Sequence, residues 1–173
     1  LDELDSHQPL DRYLLLRHPD GAHAAIANLL EQLVSPGDDR ADGLGISARR
    51  ITISTVGLLP QIERYTEEGH PYRLMLSLTS AFSEKRESVV PVTARYGVPE
   101  LAAAMRRHAA ARGGPVNLAW VLISGFNTGR EEARELARLF RGVPVRLSVI
   151  DVNDPAGGFE RATDEERGRF LTA

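Results

Sequence analysis

Apolar runs alternate with amphipathic stretches along the chain, and the alternation predicts a βα rhythm. Tyr13-Leu14-Leu15-Leu16 is a short continuous apolar run that reads as a buried strand, followed by the turn Arg17-His18-Pro19-Asp20-Gly21. Residues 22–34 place Ile26, Leu29, Leu30 and Leu33 on one helical face. Residues 35–43, SPGDDRADG, are polar and aperiodic and predict a flexible loop. Arg50-Ile51-Thr52-Ile53-Ser54-Thr55 is rich in β-branched residues and reads as a strand, with Ile51, Ile53 and Thr55 on one side and Thr52 and Ser54 on the other. Gly57 breaks it, and Pro60 suits the first turn of a helix over 59–68.

The rhythm continues to the end. YRLMLSL, Tyr72 to Leu78, is the next strand, and an irregular stretch from Thr79 to Thr93 holds a short helix near 83–89. A helix opens at Pro99 and stops at Gly113-Gly114, with Leu101 and Met105 on its apolar face. Val116 to Ile123 is a nearly continuous apolar strand, the kind that suits a parallel sheet covered by helices. Residues 130–141 form an amphipathic helix with Ala133, Leu136, Ala137 and Phe140 in one stripe. Val143 to Ile150 is the last strand, and Thr163 with Glu166 is a capping box opening a final helix. This is about five βα units without a hairpin signal, in one domain over residues 1–173. Right-handed crossovers then give parallel strands, as a partial barrel or an open doubly wound sheet.

Such sheets bind ligands at the carboxyl ends of their strands. The polar residues that fall there are His18, Ser54 and Thr55, Ser77 and Thr79, Asn127, and Asn153. Their convergence is the default binding-site hypothesis, although Ser, Thr and Asn are also ordinary turn residues. Asp151, Asn153 and Asp154 could cage a cation, but no calcium-loop spacing supports it, and a loop role is preferred. His18 and His23 lack a third ligand. No Gly-x-Gly-x-x-Gly, P-loop or hydrolase motif is present.

Composition narrows the chemistry. The chain is 42% hydrophobic and 26% charged, with a net charge of -3 that gives no general pull toward nucleic acid. Lys85 is the only lysine, in a charged SEKRES stretch unlike the buried strand-end lysine of a Schiff-base aldolase. No signal peptide or membrane span is evident, so a cytoplasmic location is expected and membrane partners are not. There are no cysteines, which removes thiolate nucleophiles, disulfides and any iron–sulfur cluster held by Cys of this chain.

Four segments carry a family resemblance: GLGISARRITISTVGLLPQI, LMLSLTSAFSEKRESVVPVTARYGVPEL, VLISGFNTGREEARELARLFRGVPVRLSVIDVN and GGFERATDEERGRF. In order and spacing, from residue 43 to 172, they resemble the ribosomal-RNA adenine carbon-2 methyltransferases (RlmN/Cfr-like), a branch of the radical S-adenosylmethionine (SAM) enzymes. The resemblance implies a radical-SAM-like partial (β/α) barrel, SAM as cofactor and ribosomal or transfer RNA as partner. It assigns cofactor binding to Ser54, to Ser77, Leu78 and Thr79 of a Ser-Leu-His-type element, and to Asn153.

The departures from the family pattern are equally specific. Thr79 stands where the family has His, and Thr93 where it has the Asn of a Met-Pro-Ile-Asn turn. Arg17-His18-Pro19 occupies the place of its Gly-Glu-Pro, which would remove a carboxylate facing the cofactor's ammonium group. The family's Cys-x-x-x-Cys-x-x-Cys cluster motif would precede Tyr13, and its methyl-carrying cysteine would follow Ala173. Two readings follow: a SAM-binding segment of a methyltransferase that cannot catalyse as this cysteine-free chain, or a degenerate non-catalytic scaffold binding RNA, a nucleoside or a protein. A barrel lacking its first unit should also expose a sheet edge, which favours a homo-oligomer or a complementary segment.

Overall fold

The computed structural model describes residues 48–173, in which four strands alternate with helices. After a 3-10 turn at Ala48–Arg50, the elements are β1 (Thr52–Thr55), α1 (Leu59–Glu68), β2 (Arg73–Ser77), α2 (Ser83–Glu87) and α3 (Val98–Arg112). They continue with β3 (Val116–Leu122), α4 (Arg130–Leu139), β4 (Val145–Asp151) and α5 (Asp164–Leu171). A second 3-10 turn, Pro91–Ala94, lies between α2 and α3. Residues 51–173 form one compact unit. The strand and helix expected over residues 13–34, the loop at 35–43 and the Arg17-His18-Pro19 segment lie outside the described residues.

The four strands are parallel and lie in sequence order, β1-β2-β3-β4. Consecutive right-handed crossovers in that order put every connecting helix on the same side of the sheet. Alternation along the strands separates the two faces. Leu74 and Leu76 of β2 and Leu118, Trp120 and Leu122 of β3 are buried beneath the helices. Each such side chain contributes roughly 1.5–3 kcal/mol when fully removed from water. The other face carries Thr52, Ser54, Ser77, Arg146, Ser148 and Ile150, exposed or half-exposed. This is the arc of a partial (β/α) barrel, and what would be its inner side mixes small and polar residues with Met75, Val121 and Ile150.

Register aligns that polar face in rows. Ser54 pairs with Met75, Met75 with Asn117, and Asn117 with Arg146. One row nearer the carboxyl ends, Ser77 pairs with Ala119 and Ala119 with Ser148. Ser54 and Ser77 therefore point to the same face.

Element ends follow local chemistry. Pro60 opens α1, and Gly69 closes it in the left-handed region at φ 69°. The carboxylate of Glu100 accepts the Gly97 N–H at 2.9 Å at the start of α3, whose buried face includes Leu101 and Met105 as expected. Thr66 of α1 donates its hydroxyl to Ile62 O, so His108 of α3 supplies the proton of the Thr66 Oγ1···Nδ1 contact at 2.9 Å.

The strand ends differ slightly from the sequence expectation. Arg50 belongs to the 3-10 turn, and the strand starts at Thr52. Val143 and Pro144 precede β4 because proline has no N–H for the ladder; its carbonyl still accepts from Val116 N at 2.9 Å. The short helix ends at Glu87 rather than 89, where the chain turns into the Pro91 segment.

Gly57 is closely enclosed by the core. It sits at φ +100°, and a Cβ there would lie 2.8 Å from Leu101 Cδ1 and 3.4 Å from Leu76 Cδ1. Leu101 and Leu76 are fully buried and have nowhere to retreat. Gly57→Ala should therefore cost about 3 kcal/mol, through left-handed strain and overpacking together. Chemical denaturation of the two proteins checks this, with the midpoint moving down at constant slope.

Candidate functional site

The carboxyl rim of the sheet is built around the chain that leaves β2. Ser77 is the last residue of that strand, and Leu78 continues the ladder by donating its N–H to Ala119 O at 3.0 Å. Thr79 then adopts φ +64°, the only positive φ of a non-glycine residue among the described residues. Such a conformation costs about 1–3 kcal/mol and persists only where the surroundings enforce it.

Two buried side chains enforce it. Arg86 of α2 is fully buried, and its guanidinium fans out across the rim. Nε donates to Leu78 O at 2.8 Å, Nη1 to Thr93 Oγ1 at 2.5 Å, and Nη2 to Val56 O at 2.5 Å and Ser77 O at 3.1 Å. One residue thus ties the ends of β1 and β2 to the turn holding Thr93. Burial lowers its pKa to about 10, still well above neutrality, so the group stays charged among oxygen dipoles.

Asn127 is the second clamp. Its amide donates to Thr79 O at 2.6 Å and Val121 O at 2.7 Å, while Oδ1 accepts from Ile123 N at 2.8 Å. The sequence placed Asn127 among the rim ligands. The structure corrects this, because the side chain is fully buried and every one of its polar atoms serves the backbone.

The five sequence-derived cofactor residues are placed as follows. Ser54 and Ser77 share the open sheet face at the ends of adjacent strands. Leu78 turns its side chain into the core, so what it offers the rim is the course of its backbone. Thr79 forms the corner and is 8% exposed. Asn153 is exposed, just past the end of β4. Thr55, next to Ser54, spends its hydroxyl accepting Gly57 N at 3.1 Å and closes the turn.

The loop bearing Asn153 is held by its neighbours. Asp154 accepts three backbone N–H groups, from Ala156 at 3.0 Å, Gly158 at 2.9 Å and Phe159 at 3.0 Å. Asp151 pairs with Arg161 at 2.5 Å and with Arg167. Both carboxylates are thus committed within the protein, which disfavours the cation cage that the sequence raised. No group of three or more His, Cys, Asp or Glu suited to a metal occurs among the described residues.

Glu166 locks the opposite side of the rim. Its carboxylate accepts from Thr163 N at 2.9 Å, completing the capping box, and from Gly125 N at 2.8 Å. Ser124 Oγ at 2.9 Å and Thr128 Oγ1 at 3.1 Å add to these. The Thr163 and Gly125 N–H groups, with those two hydroxyls, hold its pKa near 2. An apolar groove of about 410 Å³ lies elsewhere, between α4, β4 and α5, lined by residues such as Leu136, Phe140, Leu147 and Phe170. It opens on the helix side of the sheet and is lined by apolar side chains only, so it is not the candidate site.

The fold and rim define a parallel α/β barrel segment of the radical SAM type. A solved radical SAM methyltransferase from Sphaerobacter thermophilus superposes with a TM-score of 0.70 at 40% identity, over 75% of this chain and 38% of that one. A probable RNA methyltransferase of Myxococcus xanthus is 45% identical over 74% of this chain and 36% of its own length. One from Anaeromyxobacter sp. is 46% identical over 86% and 43%, and a probable dual-specificity RNA methyltransferase RlmN from Parafrankia sp. is 36% identical over 91% and 40%. The chain is thus RlmN/Cfr-like, and it spans about two fifths of the length of these relatives. No family model matches it.

Two outcomes test the rim. Arg86→Lys should cost about 3–5 kcal/mol, because an ammonium cannot reach all four acceptors and leaves carbonyls buried without partners. Equilibrium unfolding measures this. Glu166 has a folded pKa below its unfolded value, so its contribution is complete above about pH 4.5 and is lost as pH falls toward 2. Glu166→Gln should lower Tm at pH 7, and the gap to the parent should close across that acid window in thermal melts by circular dichroism.

Proposed function

We propose that residues 51–173 form the nucleoside-cofactor side of a SAM site in a radical-SAM-type RNA methyltransferase. The observation that carries this is the placement of Ser54 and Ser77 on one open sheet face, at the ends of neighbouring parallel strands and beside the Leu78–Thr79 corner. Small hydroxyls and a fixed backbone at this rim suit the hydroxyl and amine edges of a nucleoside better than they suit an apolar ligand. Asn153 extends the same rim from β4. SAM, when bound, supplies an activated sulfonium carbon. The chain's own residues bind and orient the adenosine portion.

The donor set does not fit an iron–sulfur cluster. The sequence holds no cysteine. No step through such a cluster is assigned to these 173 residues, and the catalytic thiolates of a working enzyme must come from elsewhere. RNA is the partner this reading implies, approaching the polar face from the rim, in the cytoplasm. No described helix is long and apolar enough to cross a membrane. Thr79 and Thr93, where the family carries His and Asn, favour the competing reading of a scaffold that has left catalysis behind.

Calorimetric titration of SAM into the chain separates the two. The SAM reading expects micromolar binding, weakened about five- to tenfold by Ser54→Ala and by Ser77→Ala, the loss of one hydrogen bond each. Affinity no better than millimolar, or variants indistinguishable from the parent, leaves the scaffold reading alone.

A further inference from the structure

Helix α4 carries a carboxylate on its apolar stripe. Glu132 lies one and two helical turns before Leu136 and Phe140, and it is as buried as they are. An isolated charge there would be prohibitive, so its partners define what it is for. All of them come from the chain just beyond the Thr79 corner. Ser80 Oγ donates to the carboxylate, at 3.0 Å from Oε1 and 3.1 Å from Oε2. Ala81 N donates to Oε2 at 2.8 Å. Lys85 Nζ lies 3.1 Å from Oε1, with its charge 5.4 Å above the Phe126 ring.

Nothing in the packing of α4 asks for this. An apolar side chain would fill the stripe, and buried ion pairs are often replaceable by hydrophobic groups without loss of stability. What the carboxylate adds is a grip on the two residues that follow a strained, left-handed threonine. Asn127 holds Thr79 from its carbonyl side and Arg86 holds Ser77 and Leu78. Glu132 closes the remaining side, from Ser80 and Ala81.

We propose that Glu132 is a positioning residue: it fixes the Thr79–Ser80–Ala81 corner and thereby the Ser77–Thr79 edge of the cofactor site. The proposal rests on the SAM reading of that edge. Glu132 touches no ligand in this role. It acts through the backbone, as a preorganising contact whose loss is felt as a looser, lower-affinity rim.

The test uses the full chain, with hydrogen exchange read at amides 79–82 and SAM affinity read by calorimetry. Glu132→Met, which removes every contact, should raise exchange at 79–82 by about tenfold or more while leaving the amides of β3 unchanged. It should weaken SAM binding about tenfold. Glu132→Gln, which keeps one acceptor oxygen, should fall between parent and Glu132→Met on both scales, a graded response that general unfolding would not give. If Glu132→Met does not fold, Ser80→Ala removes one donor without touching α4 and should move both readouts in the same direction by a smaller factor. Unchanged exchange at 79–82 overturns the proposal, and so does raised exchange with unaltered SAM affinity. Should the parent chain itself bind no SAM, the cofactor reading falls, and the exchange measurement alone decides whether Glu132 holds the corner.

Discussion

The rim of this sheet depends on one buried cation. Parallel strands end with carbonyls that the ladder no longer satisfies, and here the ends of β1 and β2 would leave several inside the protein. Arg86 collects Val56 O, Ser77 O and Leu78 O in one planar group and adds the Thr93 hydroxyl. A guanidinium suits this because its donors point in several directions at once and it stays ionised even when burial lowers its pKa. The cost of desolvating the charge is offset by four oxygens, of which Leu78 O also accepts the Ser80 N–H at 2.8 Å. The left-handed Thr79, the buried Asn127 amide and the Glu132 contacts are all arranged around that anchor.

Much of this fold could be read from the chain. The β-branched run at 52–55 and the apolar run at 116–122 became strands, and the glycine stop at 113 closed its helix as expected. Ser54 and Ser77 fell at the carboxyl ends of their strands as read, whereas their common face rests on the register between β1 and β2. Thr163 and Glu166 formed their capping box, although the additional bonds from Ser124, Gly125 and Thr128 depend on a loop far away in sequence. Such long-range convergence leaves no local pattern.

The buried charges were the least legible part. SEKRES reads as a solvated stretch, yet Arg86 within it has no exposure at all. Its spacing from Val89 and Val90 hints at an inward face, but propensity cannot distinguish a buried Arg from an exposed one when the acceptors are backbone carbonyls brought in by other strands. Glu132 shares the helical stripe of Leu136 and Phe140, a signal overridden by the expectation that carboxylates face water. Asn127 erred the other way. Its position after β3 suggested a ligand, and the amide instead serves three backbone groups.

The Lys85–Glu132 pair has a practical consequence. Lys85 is the sole lysine in the chain, about one third exposed, and its amine is held against a buried carboxylate beside the Thr79 corner. Amine-directed chemistry therefore has a single side-chain target in these 173 residues. An acylating fluorophore or a mass tag placed there would sit within reach of the rim, and its rate of attachment would report how firmly the ion pair is closed. The fold thus supplies its own addressable probe position without the introduction of a foreign residue.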